Sequence, residues 1–309
     1  MDPLVFGLVA GAAVLHVTWN VILKTAGDPL RAAAIGMSTA AAVICPAAVV
    51  GWLAIGRPAV PVEAIGLSIV SGFLEAFYFA FLAAAYRRGD LSMVYPLARG
   101  TAPLLAVAVG TLVLGERLGP VGDVGVALLL VGLLSLQRPW RYLRAAGRVG
   151  GGAAGFAILT GVSIASYSAV DRVAVRLTEP WIYAGLIWAS GTLFLWAYVF
   201  VYRREGARRR AAASGSVADV GSGRAPVGSL WNRRAAFGGL ITLGGYLMIL
   251  AAFTVAPLTA VAPLRESAIV LASGWGSFRL GEAANRAEAI RRVAAAALVV
   301  AGAILLAFD

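Results

Sequence analysis

Apolar residues arrive in ten blocks along this chain, roughly at 3–23, 30–54, 65–86, 92–114, 119–136, 152–171, 181–202, 234–254, 257–279 and 290–308. A helix needs about 20 mainly apolar residues to cross a hydrocarbon core of about 30 Å. The blocks are close to that length, so the pattern predicts ten membrane-spanning helices. Those at 30–54, 181–202 and 290–308 are the clearest. The block at 119–136 opens on Gly119-Pro120 and carries Asp123 in its first turn, which blurs its start. Little more than Pro257 separates the eighth block from the ninth. A boundary belongs there, because proline interrupts a helix and disfavours helical backbone at the residue before it. The first block is too long for a cleavable signal peptide, and it follows Met1-Asp2-Pro3 where such a peptide needs a basic start.

Composition narrows the class further. Of the 309 residues 60% are hydrophobic and 13% charged. A soluble domain carries about 45–50% apolar residues and about 25% charge. There is too little polar surface here to cover a water-facing globule, which excludes an ordinary soluble enzyme, a disordered protein and a nucleic-acid-binding domain. One cysteine, Cys45, excludes an internal disulfide framework, and one histidine, His16, excludes paired-histidine zinc chemistry. No cofactor is expected.

The net charge of +11 is a topology signal. Of the 26 lysines and arginines, 20 fall in connections after odd-numbered blocks: Lys24 and Arg31, Arg87 and Arg88, Arg138 to Arg148, Arg203 to Arg234, and Arg279 to Arg292. Only Arg57, Arg117, Arg172 and Arg176 follow even-numbered blocks. Short basic connections stay cytoplasmic, so both termini are expected outside the cytoplasmic membrane. The connection at 203–233 is rich in Arg, Gly, Ser and Ala and reads as a flexible basic loop. Attachment to anionic lipid is the alternative reading of it.

The halves of the chain resemble each other. Residues 91–100 read LSMVYPLARG and residues 258–267 read LTAVAPLRES, so Pro96 aligns with Pro263. Leu114-Gly115-Glu116 then matches Leu280-Gly281-Glu282, and each is followed by a Gly/Ala/Leu-rich final block. Each copy holds five helices, an odd number, so the second is inserted upside down. The expected fold is all-α: ten transmembrane helices in two inverted five-helix repeats at 3–137 and 151–308, joined by a cytoplasmic connection at 138–150. Inverted repeats with a midplane site are a transporter architecture.

These motifs, with HVTWNVILK at 16–24 and YRRGDLSMVYPLARG at 86–100, resemble the drug/metabolite transporter superfamily, in particular proteins built from two EamA repeats. The resemblance runs from about residue 4 to 307. It implies a central cavity lined by the first, third and fourth helices of each copy, with the fifth packed outside. Many family members have cytoplasmic termini, whereas the charge distribution here points the other way.

Ionisable groups inside spans cost about 2.5–3.5 kcal/mol on insertion scales and face a cavity or a partner. His16, Trp19 and Asn20 share one helical face, which is either a cavity wall or an interhelical hydrogen-bonding seam. Glu75 sits mid-span with Tyr78 and Phe79 a turn away. Loss of hydration disfavours its ionised form, which makes it a candidate carrier of a coupling proton. The alternative is a permanent ion pair with Arg99. Tyr95 and Arg99 share a face of the fourth helix, and Arg265 and Glu266 stand at the positions related by the repeat to Ala98 and Arg99. Two guanidiniums would favour an anionic or zwitterionic substrate, unless Glu266 neutralises one of them. Adjacent residues point different ways on a helix, so Arg265 and Glu266 are not expected to pair.

Ser163, Tyr167 and Asp171 form a stripe in the sixth helix; Tyr167 is a substrate-stacking candidate, and Asp171, like Lys24, is expected near an interface. Tyr246 and Trp275 are cavity candidates by helix number, while Trp188 reads as a core or belt aromatic. The run GRVGGGAAG at 147–155 lacks the GK[ST] ending of a phosphate loop, and no nucleophile–base motif is present. The expected function is secondary transport of a small polar metabolite by alternating access. Besides that substrate, the expected partners are a coupling proton, membrane lipids and a second copy of the chain. A membrane scaffold or lipid scramblase is the alternative.

Overall fold

The computed structural model describes residues 2–25, 28–89, 91–141, 144, 152–214, 233–266 and 286–308. Ten helices account for most of them, and no strand is present among the described residues. They are α1 (Pro3–Thr25), α2 (Pro29–Ala54), α3 (Val62–Tyr86), α4 (Leu91–Leu112), α5 (Pro120–Gln137), α6 (Gly152–Ala174), α7 (Pro180–Ser214), α8 (Arg233–Val255), α9 (Leu258–Glu266) and α10 (Arg286–Ala307). Among the described residues, six contain an apolar stretch long enough to cross a bilayer: α1, α2, α3, α6, α7 and α8. Leu97–Leu112 in α4 and Pro120–Leu136 in α5 are shorter. α10 carries its charges at its start, from Arg286 to Arg292, and its sequence is apolar from Val293 onward. Of the ninth block only Leu258–Glu266 is described; its remainder, with Trp275 and Leu280-Gly281-Glu282, lies outside the described residues.

Local chemistry sets the helix starts. Pro29, Pro120 and Pro180 each begin a helix, where the missing N–H costs nothing. Asp28 caps α2 by accepting the Arg31 N–H at 3.2 Å. The break at Pro257 falls where expected, between Val255 and Leu258. One boundary differs from expectation. α7 runs on to Ser214, so the first third of the basic segment at 203–233 is helical. Its Ala- and Arg-rich sequence has high helix propensity. Residues 215–232 lie outside the described set.

The helices carry apolar residues all round, as a span requires. Leu4, Val50, Val62, Leu112 and Leu193 are among the large apolar side chains left at the surface. Inside, small residues bring backbones together. α3 packs on α6 and α7, α1 on α8, α2 on α7 and α8, α4 on α6 and α9, and α5 on α10. At the α2–α8 crossing a Cβ on Gly239 would sit 2.1 Å from the Gly36 carbonyl oxygen, and at the α3–α7 crossing one on Gly72 would sit 2.6 Å from the Gly191 nitrogen.

The connections after α2, α4, α6 and α8 gather at one end. A cleft there is lined by Ile55, Pro58 and Ala59 from one and Val175 to Pro180 from another. Gly115, in the left-handed region at φ +65°, turns the chain after α4 so that Glu116 folds back over the bundle. The Glu116 carboxylate accepts the Leu258 and Thr259 N–H groups at 2.9 and 3.0 Å, capping the first turn of α9. It also accepts a hydrogen bond from Arg172 Nε at 3.0 Å, and Arg172 Nη1 donates to the Phe253 carbonyl. One carboxylate and one guanidinium thus tie α4, α6, α8 and α9 together.

Candidate substrate cavity

A cavity of about 50 Å³ lies among α1, α3, α6, α7, α8 and α9. Helical spacing builds its walls. Ala12, His16 and Trp19 come from one face of α1; Glu75, Tyr78 and Phe79 from one face of α3; Thr242, Gly245, Tyr246 and Ile249 from one face of α8. Tyr167, Trp188 and Arg265 complete it from α6, α7 and α9. One water needs about 10–15 Å³ of such volume, so this state holds a few waters and is too tight for a metabolite.

Aromatic rings form most of the wall and touch in series. Trp188 meets Tyr246 at 6.2 Å between centroids, Tyr246 meets Tyr167 at 6.2 Å, and Tyr167 meets Tyr78 at 6.2 Å. Tyr78 continues to Phe79 at 4.7 Å and Phe79 to Trp19 at 6.5 Å. Between these apolar faces stand buried polar atoms that make no hydrogen bond: His16 Nε2, Trp19 Nε1, Glu75 Oε2, Trp188 Nε1 and Arg265 Nε. Buried polar atoms are nearly always paired. Five unpaired ones on the wall of a single cavity concentrate donor and acceptor capacity where a ligand would use it.

Several sequence-predicted residues therefore meet in one place: His16, Trp19, Glu75, Tyr78, Tyr167, Tyr246 and Arg265. Others do not. The Asn20 amide donates to the His16 carbonyl of its own helix at 2.7 Å and is not on the wall. The side chains of Tyr95 and Lys24 lie outside the described residues. Arg99 donates to both Glu266 oxygens, at 2.8 and 3.1 Å, with both side chains buried. The expectation that Arg265 and Glu266 stay apart is corrected as well. Arg265 Nε lies 3.4 Å from Glu266 Oε1, because both long side chains bend back to the same buried spot. Glu266 thus offsets Arg99 and stands against Arg265.

Burial adds two placements. Asp171, three residues from the end of α6, is fully buried inside the bundle; it accepts hydroxyl hydrogen bonds from Ser71 at 2.6 Å, Tyr183 at 2.9 Å and Tyr246. Trp188, expected as a core or belt aromatic, is buried in the core and also lines the cavity, which nothing in its sequence spacing signals. Sequence reasoning also missed Thr242, Ile249, Ser71 and the Glu116–Arg172 pair, although Glu116 lies in the repeated Leu-Gly-Glu motif. No cluster of metal-ligating side chains is found among the described residues.

No family model matches the chain. Among curated proteins, it aligns with the spermidine export protein MdtI of Citrobacter koseri at 32% identity over 97 residues, 28% of this chain and 89% of that protein. The chain belongs to the family of that exporter. It also aligns with MdtI of Salmonella arizonae at 41% identity over 72 residues, 23% of this chain and 64% of that protein, just under two thirds of its length. Along nearly its whole length the fold matches a solved structure described only as "Crystal structure of protein", with a TM-score of 0.62, 19% identity and 97% and 98% of the two chains covered. That likeness is one of fold. Apolar helices and exporter relatives together make the chain a multi-pass integral membrane protein.

Proposed function

We propose that this protein is a secondary active transporter of the drug/metabolite type, moving a small polar metabolite through the aromatic cavity by alternating access. The observation that carries the reading is the cavity wall itself, where a carboxylate, a guanidinium, an imidazole and two indole N–H groups keep polar atoms without a hydrogen bond inside a bundle of apolar helices. The names of the relatives, both exporters, support transport over catalysis.

Alternating access in this reading comes from two inverted five-helix copies, and the packing supports it. Arg99 and Glu266 occupy the same position of the two copies and bond to each other, as residues on a two-fold axis do. Gly132 and Gly302 each press into the other copy's last helix, against Val299 and Leu129 respectively. Glu75 and Tyr246 stand on the third helix of each copy, facing one cavity. The Citrobacter relative aligns over most of its own length with less than a third of this chain, which suits a chain holding more than one such unit.

The substrate class expected from sequence, anionic or zwitterionic, narrows to zwitterionic. Glu266 bonds Arg99 and also lies 3.4 Å from Arg265 Nε, and of the two guanidiniums it is Arg265 that reaches the cavity wall with the Glu75 carboxylate. An ammonium group would meet Glu75 and the aromatic faces, and a carboxylate would meet Arg265. A polyamine is the second reading, favoured by the relatives' names and by the six aromatic wall residues. Glu75 is the proposed carrier of a coupling proton. Uptake into proteoliposomes of labelled lysine, spermidine and succinate tests the class. Lysine is expected to accumulate under a proton gradient and succinate to be excluded. Accumulation of succinate alone would overturn the reading.

A further inference from the structure

Asp171 has an arrangement that substrate binding does not explain. It is fully buried near the end of α6, and each of its three hydrogen-bond partners is a hydroxyl from a different helix: Ser71 of α3, Tyr183 of α7 and Tyr246 of α8. Among the described residues no cation forms an ion pair with it; Arg265 of α9 acts on it only at longer range. Arg172, next on its own helix, is turned away to Glu116 and the Phe253 carbonyl.

The second carboxylate of this region is close. Ser71 and Glu75 are four residues apart on α3, so they share a face one turn apart. Asp171 is hydrogen-bonded to the first of them, and its charge and that of Glu75 act on each other. Tyr246 stands between, its ring on the cavity wall with Glu75 and its hydroxyl on Asp171 Oδ2. Two carboxylates this near, both out of water, cannot both carry full charge without large cost. A hydroxyl between them can accept a proton on one side as it donates one on the other.

We infer that Asp171 is a second proton-binding site, joined to Glu75 through the Tyr246 hydroxyl. In the forward direction protonated Asp171 donates to the Tyr246 oxygen while the original Tyr246 hydroxyl proton passes to the Glu75 carboxylate. Asp171 ends ionised, Tyr246 neutral and Glu75 protonated; the reverse step restores the start. Because Asp171 adjoins Arg172 of the Glu116 clasp, the relay leads from the cavity toward the end where the connections after α2, α4, α6 and α8 meet. The role given to Glu75 rests on the transport reading above, whereas the shared proton is testable without it.

Infrared titration of the purified full-length protein between about pH 4 and pH 10 reads the buried carboxyls directly. The expected result is two titrating carboxyl bands, one lost in Glu75→Gln and the other in Asp171→Asn, each substitution shifting the band that remains. Tyr246→Phe should weaken the coupling, so that removing one carboxyl moves the other's band by less than in the wild type; this variant, and Ser71→Ala, keep the test open if Asp171→Asn does not fold. An Asp171 that stays ionised throughout, or two bands that never influence each other, would overturn the inference. In proteoliposomes with spermidine and lysine as probes, Tyr246→Phe should lower probe-driven proton movement by about 100-fold. If wild-type vesicles move neither probe while the bands remain coupled, the transport reading fails and the shared proton stands.

Discussion

Two clusters of charge in this bundle are built on opposite terms. At the end where the connections after α2, α4, α6 and α8 meet, Glu116 accepts from two backbone N–H groups and Arg172, and Arg172 completes itself on a carbonyl. In the cavity, Glu75, Arg265 and His16 each present a buried polar atom with no hydrogen bond. A satisfied cluster stabilises one arrangement of helices. An unsatisfied one is stabilised by whatever enters. The difference separates the residues that hold the molecule together from those that meet its cargo, a distinction that charge and depth in the sequence do not make.

The contrast can be broken from either side. Arg172→Ala leaves Glu116 buried without its cation and should destabilise the protein by about 3–5 kcal/mol in detergent unfolding; an unchanged melting temperature would show that the clasp is ornamental. Tyr183→Phe takes one of three hydroxyls from Asp171, and a loss of about 1.5–3 kcal/mol is expected for a hydrogen bond to a charged group. Glu75→Gln should behave in reverse. Removing an unsatisfied carboxylate should leave stability within about 0.5 kcal/mol, while gradient-driven uptake falls to background. A stability loss as large as that of Arg172→Ala would place Glu75 in the structural class. Asn20→Ala is expected to do least: its amide serves its own helix, so uptake should match wild type and stability should change by less than about 0.5 kcal/mol.

The helices were legible because their determinants are local: apolar length, and prolines at 29, 120, 180 and 257 that set starts and the α8–α9 break. The third-helix residues Glu75, Tyr78 and Tyr246 were legible from depth and helix number. Partners were not. Whether Arg99 faces Glu75 or Glu266 depends on how α4 and α9 cross, and nothing local to either helix encodes that crossing. The partners of Asp171 were hidden for the same reason. A position near the end of a span reads as interfacial until Tyr183 and Tyr246 from other helices close over it. Trp188 shares its helix with Trp181 and Trp196, and only the packing of α7 against α2 and α3 decides which indole turns inward.

The central claim, that the aromatic cavity carries a substrate through the membrane, is tested most directly by lysine and spermidine uptake into proteoliposomes under an imposed proton gradient, wild type against Glu75→Gln. The account predicts accumulation by the wild type that collapses in the folded variant. Equal accumulation in both, or none in a folded wild type with either probe, would contradict it.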